Sequence, residues 1–242
     1  MPIAVIPARF GSSRLGGKPL VNIAGKPMIQ RVFEQSQKSS VVTRTIVATD
    51  DERIVNAVKA FGGDAVMTSD TCRSGTDRVA ETAKMIGAAP EDIIINIQGD
   101  QPVFNPKSLD HLIRPFDEDP GLAMSTLAYK IKNPREITDP KDVKVVFNRQ
   151  GFAMYFSRAQ IPFPRDGQTD VDYYKHLGFY AYTKAFLDQI VTLDSGTYEQ
   201  VEKLEQLRVL EYGFPIKVVV TPYDSPEIDL PEDIERVEAM LR

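Results

Sequence analysis

Cysteine is nearly absent: Cys72 stands alone, so no disulfide can form within the chain, and one cysteine with two histidines leaves no structural zinc cluster. A reducing cytoplasm is the expected setting for such a chain. No apolar run approaches the roughly 20 residues that a membrane helix needs, and the opening Ile3–Ala8 reads as a strand rather than as a charged segment leading into an apolar one. Neither a secretory leader nor a membrane span is expected. Basic charge is also short, with 29 Lys and Arg against 34 Asp and Glu and a formal net charge of −5. The field of the whole molecule therefore attracts neither nucleic acid nor an anionic membrane, and an anionic ligand has to be held by a local basic pocket. No repeat, low-complexity tract or Gly/Ser linker divides the 242 residues, so one domain over 1–242 is expected, with loops at the Pro- and Asp-rich stretches 133–141 and 162–172.

What is present is an alternation. Val- and Ile-rich runs at Ile3–Ile6, Thr45–Ala48, Ala65–Met67, Ile93–Ile97, Ala123–Ala128, Lys144–Phe147 and Ile216–Val220 read as strands covered on both faces. Helical spacing fills Met28–Gln37, Arg53–Phe61, Thr76–Ile86 and Ser108–Phe116 between them. The pattern predicts an α/β fold, a mostly parallel sheet with helices on both faces, whose ligands bind at the edge where the strands end. From Pro140 to Ile161 the reading changes: Val143–Phe147 and Phe152–Phe156 flank Gln150–Gly151 as a small antiparallel hairpin insertion. Glu199–Tyr212 reads as one strong helix, and Pro231 and Glu232 open a final helix, which puts Asp229 in a loop after the last strand.

Two segments carry chemistry. Pro7–Pro19 follows the first strand, and within it Arg9, Arg14 and Lys18 supply charge-assisted donors while three glycines let backbone N–H groups approach phosphate oxygens. It is not a Walker A loop, which fails at Pro19, nor a dinucleotide fingerprint; the plainer reading is a solvated basic loop. Asn96–Pro102 follows the most apolar strand, and Asp100 at its tip is placed to hold Mg²⁺ together with phosphate oxygens. Gly99-Asp100-Gln101-Pro102 is also ordinary turn chemistry.

Taken with Ser74–Arg78, Tyr155–Arg158, Lys175–Gly178 and Leu204–Arg208, these segments resemble the 3-deoxy-manno-octulosonate (Kdo) cytidylyltransferase family along essentially the whole chain. The first loop and Gln98-Gly99-Asp100 alone would also admit acylneuraminate and other sugar nucleotidyltransferases; Lys175-His176-Leu177-Gly178 with Leu204-Glu205-Gln206-Leu207-Arg208 is more specific. The resemblance implies a Rossmann-like nucleotidyltransferase sheet, a sugar-binding and dimerising insertion at about 130–180, a homodimer, and transfer of CMP from CTP to an acidic eight-carbon sugar. It implies a nucleotide site of Arg9, Ser12, Arg14, Lys18, Ser74, Gly75 and Gln98, with Lys18, Asp100 and Asp229 catalytic and the two aspartates holding Mg²⁺. It implies a sugar pocket of Arg158, Arg165, His176, Tyr180, Glu205 and Gln206.

Each of these residues also has a plain reading: His176 a packed histidine, Glu205 paired with Arg208 along a helix, Arg158 and Arg165 solvated. His111, Met85 and Cys72 read as structural. The chain departs from the family pattern at Gly16, where Pro is usual, at Gln101, where Glu is usual, and at Glu227–Leu230 beside the second aspartate. The last two departures resemble a subgroup acting on the 8-amino-8-deoxy sugar. A glycosyltransferase would show an Asp-x-Asp motif, which Gly99-Asp100-Gln101 is not; a hexose-1-phosphate nucleotidyltransferase would use a phosphate as nucleophile, and a silent nucleotide-binding protein would need only the first loop.

Overall fold

The first strand, β1 (Pro2–Ala8), shows how both faces of the sheet are filled. Successive side chains of a strand point to opposite faces; Ile3 and Val5 accordingly join one apolar cluster while Ala4, Ile6 and Ala8 join another. The first cluster is completed by Val79 and Ala83 of α3 (Gly75–Met85) and by Phe186 and Leu187 of α6 (Lys184–Ile190). The second takes Ile29 and Val32 of α1 (Met28–Gln37), Ile54 and Val58 of α2 (Glu52–Ala60), and Leu109 and Leu112 of α4 (Lys107–Glu118). Each fully buried Ile, Leu or Val contributes about 1.5–3 kcal/mol. These features come from a computed structural model that describes residues 1–11, 15–168 and 170–241.

On one side of β1 lie β4 (Arg44–Thr49) and then β5 (Asp64–Met67), and on the other β6 (Ile93–Asn96), all parallel. Beyond β6 the sheet continues through β10 (Tyr174–Thr183), β7 (Met124–Lys130) and β11 (Lys217–Thr221). β10 runs antiparallel to both β6 and β7, whereas β11 is parallel to β7. The expected α/β sheet is therefore mostly parallel, with one reversed strand in its middle. The expected hairpin is β8 (Lys144–Phe147) and β9 (Ala153–Ser157), turned at Asn148–Gly151 and joined to β10 through β8. A two-stranded ribbon, β2 (Asn22–Ile23) with β3 (Lys26–Pro27), lies apart from the main sheet.

Two findings differ from the sequence reading. β10 is absent from the apolar runs, although a half-buried strand is the plain reading of His176; Gly178 interrupts it, with φ +72° and a shift of register between His176 and Tyr180. The helix expected over Glu199–Tyr212 is two helices, α7 (Thr197–Glu202) and α8 (Gln206–Glu211), parted at Lys203, whose φ is +55°. Tertiary bonds override the local pattern there: the Glu202 carboxylate accepts from Ser157 Oγ at 2.6 Å and Arg158 N at 3.0 Å, and its carbonyl accepts from Arg158 Nε at 2.8 Å. Among the described residues no helix is long and apolar enough to cross a membrane.

Candidate active site

The carboxyl ends of β1 and β6, the amino end of the reversed β10 and the segments after β7 and β11 meet at one edge. They surround a cleft of about 810 Å³. Parallel strands deliver their following loops to this edge, and the reversed strand brings its opening residues, Lys175 to Tyr180, to the same place.

At the nucleotide-side end, Lys18 is the central group. Its Nζ donates to Asp100 Oδ2 at 2.7 Å and to Asp229 Oδ1 at 3.0 Å, so residues 82 and 211 positions away converge on one ammonium. Removal from water works against this charge, but Asp100 and Asp229 outweigh it and hold the Lys18 pKa above its usual value. The preceding turn is fixed by Gly17 at φ +67°, whose N–H donates to the Phe10 carbonyl at 3.1 Å; a Cβ there would approach the Phe10 ring to 3.1 Å. At Gly16, one of the three departures, an added Cβ would meet nothing within 4 Å. Gly99 lets the β6 loop close on β1, since a Cβ at that position would lie 3.1 Å from the Pro7 carbonyl oxygen.

The other expected nucleotide residues are dispersed around this point. Arg9 Nη2 donates to the Cys72 carbonyl at 2.8 Å, tying the first loop to the segment before α3. Ser74 caps α3, its Oγ accepting from Asp77 N at 3.1 Å while Asp77 Oδ2 accepts from Ser74 N at 3.1 Å. Gly75 lines the cleft, and Gln98 lines it with Nε2 donating to the Gly178 carbonyl at 3.1 Å. Ser12 and Arg14 lie outside the described residues.

The expected sugar residues gather in the same cleft, with one exception. Arg158, His176, Tyr180, Glu205 and Gln206 all line the cleft, whereas Arg165 is exposed on the 158–173 loop and is not among the lining residues. Arg158 is held by its backbone contacts, Nη1 donating to the Pro140 carbonyl at 2.9 Å as well as Nε to Glu202. Thr126 Oγ1 donates its single proton to the Phe179 carbonyl at 2.6 Å, so in its 2.8 Å contact with His176 Nε2 the histidine is the donor. This leaves Nδ1 as the acceptor of a neutral ring, and burial pushes the His176 pKa down to about 3. A neutral ring offers hydrogen bonding, not positive charge.

Tyr180 hydroxyl donates to Gln206 Oε1 at 2.9 Å, and Thr76 Oγ1 donates to Glu205 Oε2 at 2.7 Å. Arg208 pairs with Glu199, at 2.7 Å from Nε, and not with Glu205; the helix-face pairing read from sequence does not form, and Glu205 stays with the cleft.

Three groups were not foreseen as site residues. Gln101, fully buried, donates from Nε2 to the Leu177 carbonyl at 2.8 Å and to Glu227 Oε1 at 3.0 Å, and accepts from Ser225 Oγ at 2.8 Å. Glu227 lines the cleft; crowding by protein and then the nearby carboxylates of Asp100 and Asp229 raise its pKa. Lys175 sits among three carboxylates at the far end. The sequence signal for the first two was their departure from the family pattern, and for Lys175 its place beside His176.

Asp100 and Asp229 fit a hard divalent cation, because their oxygens already converge on one positive charge. Among the described residues no group of three or more His, Cys, Asp or Glu is arranged to hold a metal ion. Remaining ligands of any such ion would have to be oxygens of the substrates and water.

The sequence model of the cytidylyltransferase family matches residues 3–222. A protein of Desulfatibacillum aliphaticivorans named 3-deoxy-manno-octulosonate cytidylyltransferase is 60% identical over 99% of this chain and 98% of its own. One of Shewanella oneidensis named 8-amino-3,8-dideoxy-manno-octulosonate cytidylyltransferase is 51% identical over 98% and 97%. The solved structure of CMP:2-keto-3-deoxy-manno-octonic acid synthetase complexed with CTP superposes with a TM-score of 0.93 at 43% identity, covering 99% of this chain and 98% of that one.

Proposed function

Since the chain belongs to the cytidylyltransferase family, we propose that it transfers CMP from CTP to the anomeric hydroxyl of Kdo, giving CMP-Kdo and pyrophosphate for lipopolysaccharide synthesis. The observation that carries the reading is that Asp100 and Asp229, which converge on Lys18, line the same cleft as His176, Tyr180, Glu205 and Gln206. The anomeric hydroxyl gives up its proton to solvent and its oxygen bonds to the α-phosphorus as the bond to the pyrophosphate oxygen breaks, so the task is alignment and the spreading of negative charge. Lys18, drawn between Asp100 and Asp229, serves the β- and γ-phosphates together with Arg14. Glu205, Gln206, Tyr180 and the acceptor nitrogen of His176 orient sugar hydroxyls, and Arg158 meets the sugar carboxylate. Asp100 and Asp229 would hold a Mg²⁺ ion that polarises the α-phosphate and lowers the pKa of the attacking hydroxyl. The setting is the cytoplasm and the assembly a homodimer.

A second reading has its own observation. With Gln at 101, the amide can donate to both the Leu177 carbonyl and Glu227, which a carboxylate could not do; the carboxylate stands instead at 227, on the cleft wall. Its surroundings push the Glu227 pKa up to about 8, and an acceptor ammonium beside it would restore the ionised form, as the 8-amino-8-deoxy sugar could. Pyrophosphate release with CTP and Mg²⁺ separates the two when Kdo, the 8-amino sugar and an acylneuraminate are compared. Preference for Kdo supports the first reading and preference for the amino sugar the second. Silence with both octulosonates would sink them together.

A further inference from the structure

Lys175 shares a motif with His176, yet nothing above uses it. Its side chain is only 9% exposed, and it faces Asp224 Oδ1 at 3.0 Å and Oδ2 at 3.1 Å, Glu136 Oε2 at 3.1 Å and Asp142 Oδ1 at 3.9 Å. These carboxylates come from two separate pieces of chain. Glu136, in the short helix α5 (Arg135–Thr138), and Asp142 belong to the segment 131–143 between β7 and β8, which lines the sugar end of the cleft. Asp224 belongs to the segment 222–230 after β11, which carries Asp229. Directly opposite Lys175 on β8 stands Lys144, itself fully buried, whose Nζ donates to the Asp139 carbonyl at 2.7 Å and so fixes the first segment from below.

We propose that Lys175 is a positioning residue that couples the sugar-side segment 131–143 to the Asp229-bearing segment 222–230, so that the acceptor wall and the second aspartate are held in register through one ammonium. The role rests on the reading of this cleft as the acceptor-sugar site. Without the ammonium three partly exposed carboxylates would face one another with nothing between them, and their repulsion would drive the two segments apart. Loss of a lysine that served stability alone would lower Tm and leave the balance between the two substrates where it was.

The first arm of the test needs no turnover. Hydrogen exchange is followed in Glu136→Gln, which weakens the clasp from one segment only, and coupling predicts faster exchange in 222–230 as well as in 131–143, with β1 and β6 unchanged. The second arm compares kinetics in Lys175→Met and Lys175→Arg. In the methionine variant kcat/KM for the sugar is expected to fall by about 10- to 100-fold while KM for CTP holds, and arginine should restore part of the loss. Wild-type turnover with the octulosonates serves as the control for the underlying reading, so its failure would be seen separately, with the exchange arm still deciding the coupling. Exchange altered in 131–143 alone would overturn the proposal, as would a methionine variant that changes Tm with kcat/KM for the sugar unmoved.

Discussion

Two lysines are clasped by carboxylates that line one cleft, Lys18 half-buried and Lys175 buried, and they are built in opposite ways. Lys18 lies between Asp100, in the loop that leaves β6, and Asp229, just ahead of the helix Pro231–Met240, whose Val237 joins Ile23 and Met28 in a small apolar cluster. Lys175 lies on the sheet itself and holds connecting segments that the strands do not fix. At the first end the scaffold sets the geometry and the cation is the variable, since two aspartates that grip an ammonium can grip a dication. At the second end the cation joins two connecting segments, and one of them, 222–230, is also tied toward the first end by Ile228 N to the Asp100 carbonyl at 3.0 Å and by Ser225 and Glu227 to Gln101. Charge chemistry belongs at the rigid end and substrate fitting at the adjustable one.

The comparison breaks most sharply at Asp229. Asp229→Asn keeps a neutral group of the same shape beside Lys18 and Asp100, so Tm should stay within a few degrees while kcat falls on the order of 10³-fold or more, as read by pyrophosphate release. Near-normal turnover would show that the rigid end does not carry the reaction. Away from the chemistry, Arg208→Met tests the corner where α7 and α8 part. The Glu199 and Arg208 side chains are 10% and 11% exposed. Stranding the glutamate should cost about 3 kcal/mol, a fall in Tm of roughly 6–12 °C.

How far this was legible in the sequence follows the same division. The Arg9–Lys18 loop and Gln98–Asp100 are local segments at strand ends, and their chemistry could be read where it stood. The alternation of strand and helix, the β8–β9 hairpin and Pro231 at the start of α9 (Pro231–Met240) were likewise local patterns, and the structure has them. Asp229 was visible only through a family resemblance, because 211 residues separate it from Lys18. The clasp at Lys175 was not visible at all, since its partners at 136, 142 and 224 carry no pattern of their own. β10 was hidden by its glycine bulge, and the break at Lys203 by a helical pattern that Arg158 and Glu202 override from outside it.

His176 sharpens the second end by a smaller effect. Burial depresses its pKa to about 3, below the ordinary unfolded value near 6.5. The unfolded chain therefore binds the proton first as pH falls, so this contribution to stability is complete above about pH 6.5 and is lost progressively toward pH 3. Thermal melts from pH 4.5 to 7.5 should show Tm falling with acidification, with a shallower slope in His176→Gln. An identical slope would mean that the ring is not held neutral by its surroundings.

The smallest effect is expected at Cys72, whose Sγ donates to Glu81 Oε2 at 2.9 Å and whose pKa is pushed up to about 11 by burial and that carboxylate. Alkylation by iodoacetamide at pH 7 should be slow and Cys72→Ser should turn over normally; rapid alkylation with loss of activity would contradict the structural role.

The central claim, that Asp100 and Asp229 form one cation site completed by the nucleotide, is met most directly by Mn²⁺ titration followed by electron paramagnetic resonance, with and without CTP. The account predicts CTP-dependent Mn²⁺ binding in the wild type that is lost in Asp100→Asn and in Asp229→Asn. Equal binding by both variants would contradict it.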